Sequence, residues 1–80
     1  MVRYCFRIIR RDGEVVSEAY LSATDLGEAV AYGLKFASGV KSNYPPGTGC
    51  DTWFLDVIDG SGQVALSLPL AMVSRRGVAA

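Results

Sequence analysis

Eighty residues, half of them apolar and a fifth charged, are enough for one globular domain and exclude a disordered chain. Eight lysines and arginines balance eight aspartates and glutamates, so the basic excess with which nucleic-acid-binding domains neutralise phosphate is missing. Histidine is absent and cysteine occurs twice, which removes the usual general base, the commonest metal ligand and any disulfide framework.

Residues 2–10 alternate with period two. Tyr4, Phe6 and Ile8 fall on one face, and Arg3, Cys5, Arg7 and Ile9 fall on the other, the mark of a strand. Asp12-Gly13 is the pair favoured by a two-residue type I′ turn, where both residues need φ > 0, and residues 14–21 form the return strand. Such a turn pairs Arg11 with Glu14. It sets Tyr4 opposite Leu21, Phe6 opposite Ala19 and Ile8 opposite Ser17 on the core face. On the opposite face Cys5 meets Tyr20, Arg7 meets Glu18 and Ile9 meets Val16, and the cross-strand charges attract.

Asp25 is the expected N-cap of a helix, with Glu28 in the capping-box relation to it. Leu26, Ala29, Val30, Gly33, Ala37 and Val40 make one apolar stripe, widened by Leu34 and Phe36, while Glu28, Ala31, Tyr32, Lys35 and Ser38 face solvent. Gly33 lies inside the stripe, where it costs about 1 kcal/mol of helix propensity and permits a close approach to the sheet. The helix ends either at Gly39 as C-cap or at Ser42. Residues 42–51, with Asn43, Pro45, Pro46, Gly47 and Gly49, form a loop.

The third strand covers residues 52–58, with Trp53, Leu55 and Val57 on the core face and Phe54, Asp56 and Ile58 opposite. Asp59-Gly60-Ser61-Gly62 is the second hairpin turn, and residues 63–70 form the fourth strand. An even-length turn pairs Trp53 with Leu68, Leu55 with Leu66 and Val57 with Val64. Pro69 has no N–H to offer a ladder, which places the fourth strand at an edge. Residues 1–72 are read as a single domain and residues 73–80 as a flexible C-terminal tail.

The resulting class is α+β: β-β-α-β-β, a four-stranded, mainly antiparallel sheet with one helix packed on one face. The preferred strand order is 2-1-3-4, which puts the two most apolar strands inside. The order 2-1-4-3, with a central parallel pair, stays open.

No catalytic residue, cofactor site or metal site is expected. Cys5 lies within a strand and reads as a packing residue; Cys50, in the Gly/Pro-rich loop, is the one thiol expected to be exposed. Asp56 and Asp59 are near in sequence, but Asp59 suits a turn aspartate that binds its own backbone, and Asp56 faces away from Trp53 and Val57. The glycine clusters join strand to strand or helix to strand, whereas phosphate-binding loops lead from strand to helix. Tyr4 and Phe6 beside Arg3 and Arg7 suggest an RNA-reading sheet, yet they belong to the core face, and Glu18 and Asp56 on the open face repel phosphate.

The opening Arg3-Tyr4-Cys5-Phe6-Arg7-Ile8 followed by Asp12-Gly13 resembles an R-Y-x-F-x-I…D-G pattern. Asp25-Leu26-Gly27-Glu28-Ala29 resembles D-L-x-x-A. Trp53, Val57, Asp59, Gly62, Val64, Leu68 and Pro69 match W-x-x-x-V-x-D-x-x-G-x-V-x-x-x-L-P. Together these are similar to a family of small alphaproteobacterial proteins classed as a domain of unknown function. The resemblance spans nearly the whole chain; it departs at Leu70, where phenylalanine is expected, and in a longer Pro-Gly loop before Trp53. It implies a bacterial protein of this architecture and no assigned activity.

The face opposite the helix holds Cys5, Ile9, Val16, Tyr20, Phe54 and Ile58 amid Arg7, Glu18 and Asp56. That mixture suits an association surface. The expectation is a non-enzymatic homodimeric interaction or accessory module. The alternative is a regulatory module binding a small ligand or nucleic acid. An enzyme resting on Cys50 or the aspartates is the third reading. No run of about 20 apolar residues and no signal-peptide layout occur, so a cytoplasmic protein with no membrane contact is expected.

Overall fold

The structure, a computed structural model, describes residues 1–45 and 47–73. Strands β1 (Val2–Ile9) and β2 (Val15–Ala23) precede the helix α1 (Leu26–Ser42), and β3 (Phe54–Ile58) and β4 (Val64–Pro69) follow it. Short 3-10 turns at Cys50–Thr52 and Leu70–Met72 flank the second hairpin. The sheet is antiparallel throughout, in the order β2-β1-β3-β4. Burial explains the order. β1 and β3 have buried residues on both faces, Ile8 and Leu55 on one and Cys5 and Ile58 on the other, so both belong inside.

Tyr4, Phe6, Ile8, Leu55 and Val57 form the core under α1, joined by Ala29 and Ala37 of the helix and by Trp53 and Leu70. Gly33 sits directly on this layer: a Cβ there would stand 3.2 Å from Phe6 Cδ1 and 3.4 Å from Leu55 Cδ2. Leu26 and Leu34, expected in the apolar stripe, are exposed instead, because the helix touches the sheet along the narrower line of Ala29, Gly33 and Ala37. The N-cap reading holds: Asp25 Oδ1 accepts from the Glu28 N–H at 2.9 Å. Glu28 reaches back one residue further than a capping box requires, to the Thr24 N–H at 3.0 Å. At the other end the helix runs through Gly39 to Ser42, with Asn43 as its C-cap.

Both hairpins turn differently from the sequence reading. In the first, the Gly13 N–H donates to Arg10 O and the Arg10 N–H to Glu14 O. Only Gly13 has positive φ, so a type I′ turn is excluded. The loop has three residues, 11–13, and closes with glycine in the left-handed conformation. A β-bulge between Ile8 and Ile9 then restores the expected register: Ile9 pairs with Val15, while Ile8 with Ser17, Arg7 with Glu18 and Tyr4 with Leu21 all pair as read.

The second hairpin repeats this design, with Gly62 N–H donating to Asp59 O, Asp59 N–H to Gln63 O, Gly62 at φ +89° and a bulge between Val57 and Ile58. Here the expected pairing is wrong by two residues. Leu55 faces Leu68 and Val57 faces Leu66, and Trp53 precedes the strand. A shift of two keeps Leu66 and Leu68 on the core face, so their alternation could not reveal it, while the bulge moves Val64, expected opposite Val57, to the open face opposite Ile58.

Lys41 near the end of α1 is buried, which the sequence did not suggest. Its Nζ donates to Leu70 O and Val73 O, both at 2.9 Å, and lies 2.7 Å from Asp51 Oδ1. Val73 is only 5% exposed. The first residue assigned to the tail therefore belongs to the core, and the remainder of that tail, 74–80, lies outside the described residues, as does Pro46. Cys50 is also buried, at 4% exposure. The 3-10 turn makes it a member of the core cluster that includes Trp53 and Leu70 instead of leaving it in an open loop.

Candidate functional site

The face of the sheet turned away from α1 carries three cross-strand rows, readable directly from the pairing. Tyr20, Cys5, Ile58 and Val64 make one; Glu18, Arg7, Asp56 and Ser67 make the next; Val15, Ile9, Phe54 and Pro69 make the third. A polar row thus runs across all four strands between two apolar rows. The period of two along each strand produces the alternation, and the registers align it from strand to strand.

Within the polar row Arg7 stands opposite Glu18 on one side and Asp56 on the other. Arg7 Nε donates to Glu18 Oε2. The Tyr20 hydroxyl donates to Glu18 Oε1 at 3.1 Å, and Ser67 Oγ to Asp56 Oδ1 at 2.7 Å. The hydrogen bond from Arg7 holds the Glu18 carboxyl below the usual range, and the same contact raises Arg7. Accepting from Tyr20, Glu18 in turn raises the phenol. The row thus holds one guanidinium, that of Arg7, paired with the Glu18 carboxylate, and a second carboxyl group, that of Asp56, which accepts from Ser67.

Of the six residues expected at an interface, five lie on this face. Tyr20 and Phe54 are 54% and 41% exposed, and Ile9 is half-buried. Cys5 and Ile58 are already buried and form the floor of the first row. Val16 is a correction. The bulge turns it to the helix side, where it packs against the core, and Val15 takes its place opposite Ile9. The sequence reading missed Val15, Val64 and Pro69 because their placement follows from bulge and turn geometry.

A shallow hollow of about 260 Å³ opens on the same face, lined by Arg3, Cys5, Arg7, Tyr20, Ile58 and Asp59 among others. The Arg3 guanidinium lies over the Tyr20 ring, 5.4 Å from its centre. Asp59 is committed elsewhere: Oδ1 accepts from Ser61 Oγ at 2.6 Å and from the N–H groups of Ser61 and Gln63. These bonds, that of the Ser61 hydroxyl first, lower its pKa. Asp56 and Asp59 are thus separate structural groups, and among the described residues no three His, Cys, Asp or Glu side chains gather as a metal site.

A second cleft between the β1–β2 tip and the loop before β3 is lined by Arg10, Glu14, Val16, Tyr44 and Trp53. Tyr44 and Trp53 meet there edge to face at 5.0 Å. No described helix is long and apolar enough to cross a membrane. Comparison with protein-family models, curated proteins and solved structures finds no match to the chain.

Proposed function

We propose that the chain is a non-enzymatic interaction module of the cytoplasm that forms a homodimer through its open sheet face. The observation that carries this is the arrangement of the face: a polar row holding the Arg7–Glu18 ion pair and the Asp56 carboxyl group between two apolar rows, with Tyr20, Val15, Phe54 and Val64 all substantially exposed. Such a face is self-complementary. A two-fold axis along the strands, between β1 and β3, sets Arg7 against Asp56 of the second copy twice over. It also lays Phe54 on Ile9.

Four strands about 4.8 Å apart and about 25 Å long offer roughly 500 Å² per copy. The two copies together bury about 1,000 Å², the lower limit for a specific interface. The dimer is accordingly concentration-dependent.

Sedimentation and light scattering test it. Dimer is expected at tens of micromolar, about the range where a modest interface operates, and Phe54→Lys is expected to give a folded monomer. A strict monomer at about 1 mM overturns the proposal.

Arg3, which among the described residues has no carboxylate partner, favours a second reading in which the hollow over Tyr20 takes a small anion or a stacked base. Titration with a short single-stranded oligonucleotide at low salt tests that reading; no spectral shift of Tyr20 ends it.

A further inference from the structure

The two edges of the sheet are unequally protected. β4 is six residues long, is interrupted by a bulge and ends in Pro69, the ordinary devices that stop an edge from pairing. β2 is nine residues long and contains neither proline nor lysine. Its one charged residue, Glu18, is neutralised by Arg7 within the same molecule. Its bulge lies at the Val16 end, leaving Ser17 to Ala23 regular. Among the described residues β2 pairs only with β1, leaving its outer edge without a strand, and Glu18, Tyr20, Leu21 and Ser22 are exposed. Every second N–H and C=O along it therefore points outward, ready to bond another strand.

We propose that this edge pairs antiparallel with β2 of a second copy, joining two four-stranded sheets into one of eight strands. The proposal does not rest on the face-to-face reading, because its two-fold axis is perpendicular to the sheet and its contacts are backbone groups.

Self-pairing admits few registers. One centred on Glu18 places two carboxylates directly opposite and is disfavoured. One centred on Tyr20 uses the whole bulge-free stretch and pairs Ser17 with Ala23, Glu18 with Ser22 and Ala19 with Leu21. The two Tyr20 rings then meet as an aromatic cross-strand pair on the open face. Charge supports the same register. Within one molecule Arg3 lies opposite Ser22. With Glu18 opposite Ser22 of the second copy, that copy's Arg3 stands on the same row and the same face as Glu18. Arg3, unpaired with any carboxylate among the described residues, acquires one there. On the helix side, Leu21, 41% exposed in the monomer, is covered by Ala19 and its surroundings in the second copy.

The test is amide hydrogen exchange on the unmodified chain at high and low protein concentration, read residue by residue over 17–23 and accompanied by light scattering. Alternate amides of this stretch are expected to exchange at least about ten-fold more slowly at high concentration, in a species larger than the monomer that is a closed dimer in Phe54→Lys. Phe54→Lys, which disrupts the open face, is expected to leave that protection in place. Leu21→Lys, which puts a charge at the edge and on the helix side, is expected to remove it.

Equal exchange at the two concentrations overturns the proposal, as does loss of β2 protection in Phe54→Lys. Open-ended growth of Phe54→Lys, in which the open face no longer pairs, also overturns it, because two-fold pairing through the edge alone consumes that edge. The dilution comparison needs no substitution and decides the matter even if Leu21→Lys does not fold.

Discussion

Replacing Lys41 by methionine tests how the second half of the chain is fastened to the helix. The Lys41 side chain is 10% exposed, and its ammonium bonds the carbonyls of Leu70 and Val73 and the carboxylate of Asp51. Methionine fills nearly the same space with no donor. Two carbonyls lose a charge-assisted bond, each about 1.5–3 kcal/mol. Removing one partner of a buried charged group costs about 3–5 kcal/mol in comparable cases. Part of the loss is recovered because an apolar side chain is easier to bury, so the expected destabilisation is about 3 kcal/mol. A domain of this length has about 4–12 kcal/mol of stability, so the loss is a large share of the whole.

Urea unfolding followed by Trp53 fluorescence reads the effect. Trp53 O accepts from the Leu70 N–H at 2.9 Å, so the indole reports on the segment that Lys41 holds. With a denaturant slope of about 1 kcal/mol/M, the midpoint is expected to fall by roughly 3 M. Asp51→Asn is the control. Its side chain is 66% exposed, and a partner of that kind contributes about 0–1 kcal/mol. A loss under about 1 kcal/mol in Lys41→Met refutes the clasp.

Gly33→Ala gains about 1 kcal/mol of helix propensity but drives a methyl to within 3.2–3.4 Å of Phe6 and Leu55, which are themselves fully buried and have no room to move. Overpacking of this kind costs about 1–3 kcal/mol, so a net fall in Tm of several degrees is expected by calorimetry; a rise contradicts the close approach. Asp59 has a folded-state pKa below its ordinary value, so its contribution to stability is present above the ordinary carboxylate range and is lost as pH falls through the lowered folded value. The stability gap between the wild type and Asp59→Asn, measured in urea from neutral pH downward, is expected to stay constant to about pH 4 and then close. A gap that persists at the acid extreme contradicts the assigned role.

The sequence by itself determined the elements, their order and the faces of β1 and β3. Period-two alternation in β1 and β3, the Asp25 cap and the small-residue line of α1 are local properties, written in the residues that enact them. The observed strand order was the preferred one, because a strand apolar on both faces belongs inside a sheet, but the order 2-1-4-3 stayed open until the pairing was seen. The open face was legible for the same reason, as were Ile9, Tyr20 and Phe54 upon it.

Tertiary structure alone decided the turns and the strand pairings they impose. Asp12-Gly13 is compatible with both a two-residue and a three-residue loop, and the bulge that moves Val16 inward and Val15 outward leaves no mark in the alternation. In the second hairpin a slip of two residues keeps Leu66 and Leu68 on the core face, so only backbone bonding distinguishes their pairings, and a bulge carries Val64 to the open face. Lys41 carried no mark in the sequence, and Cys50 and Val73, expected in an exposed loop and a tail, are buried for a related reason. A polar head is buried when distant chain segments bring it acceptors, and Leu70 and Val73 lie about thirty residues from Lys41. No local pattern encodes a bond across that separation.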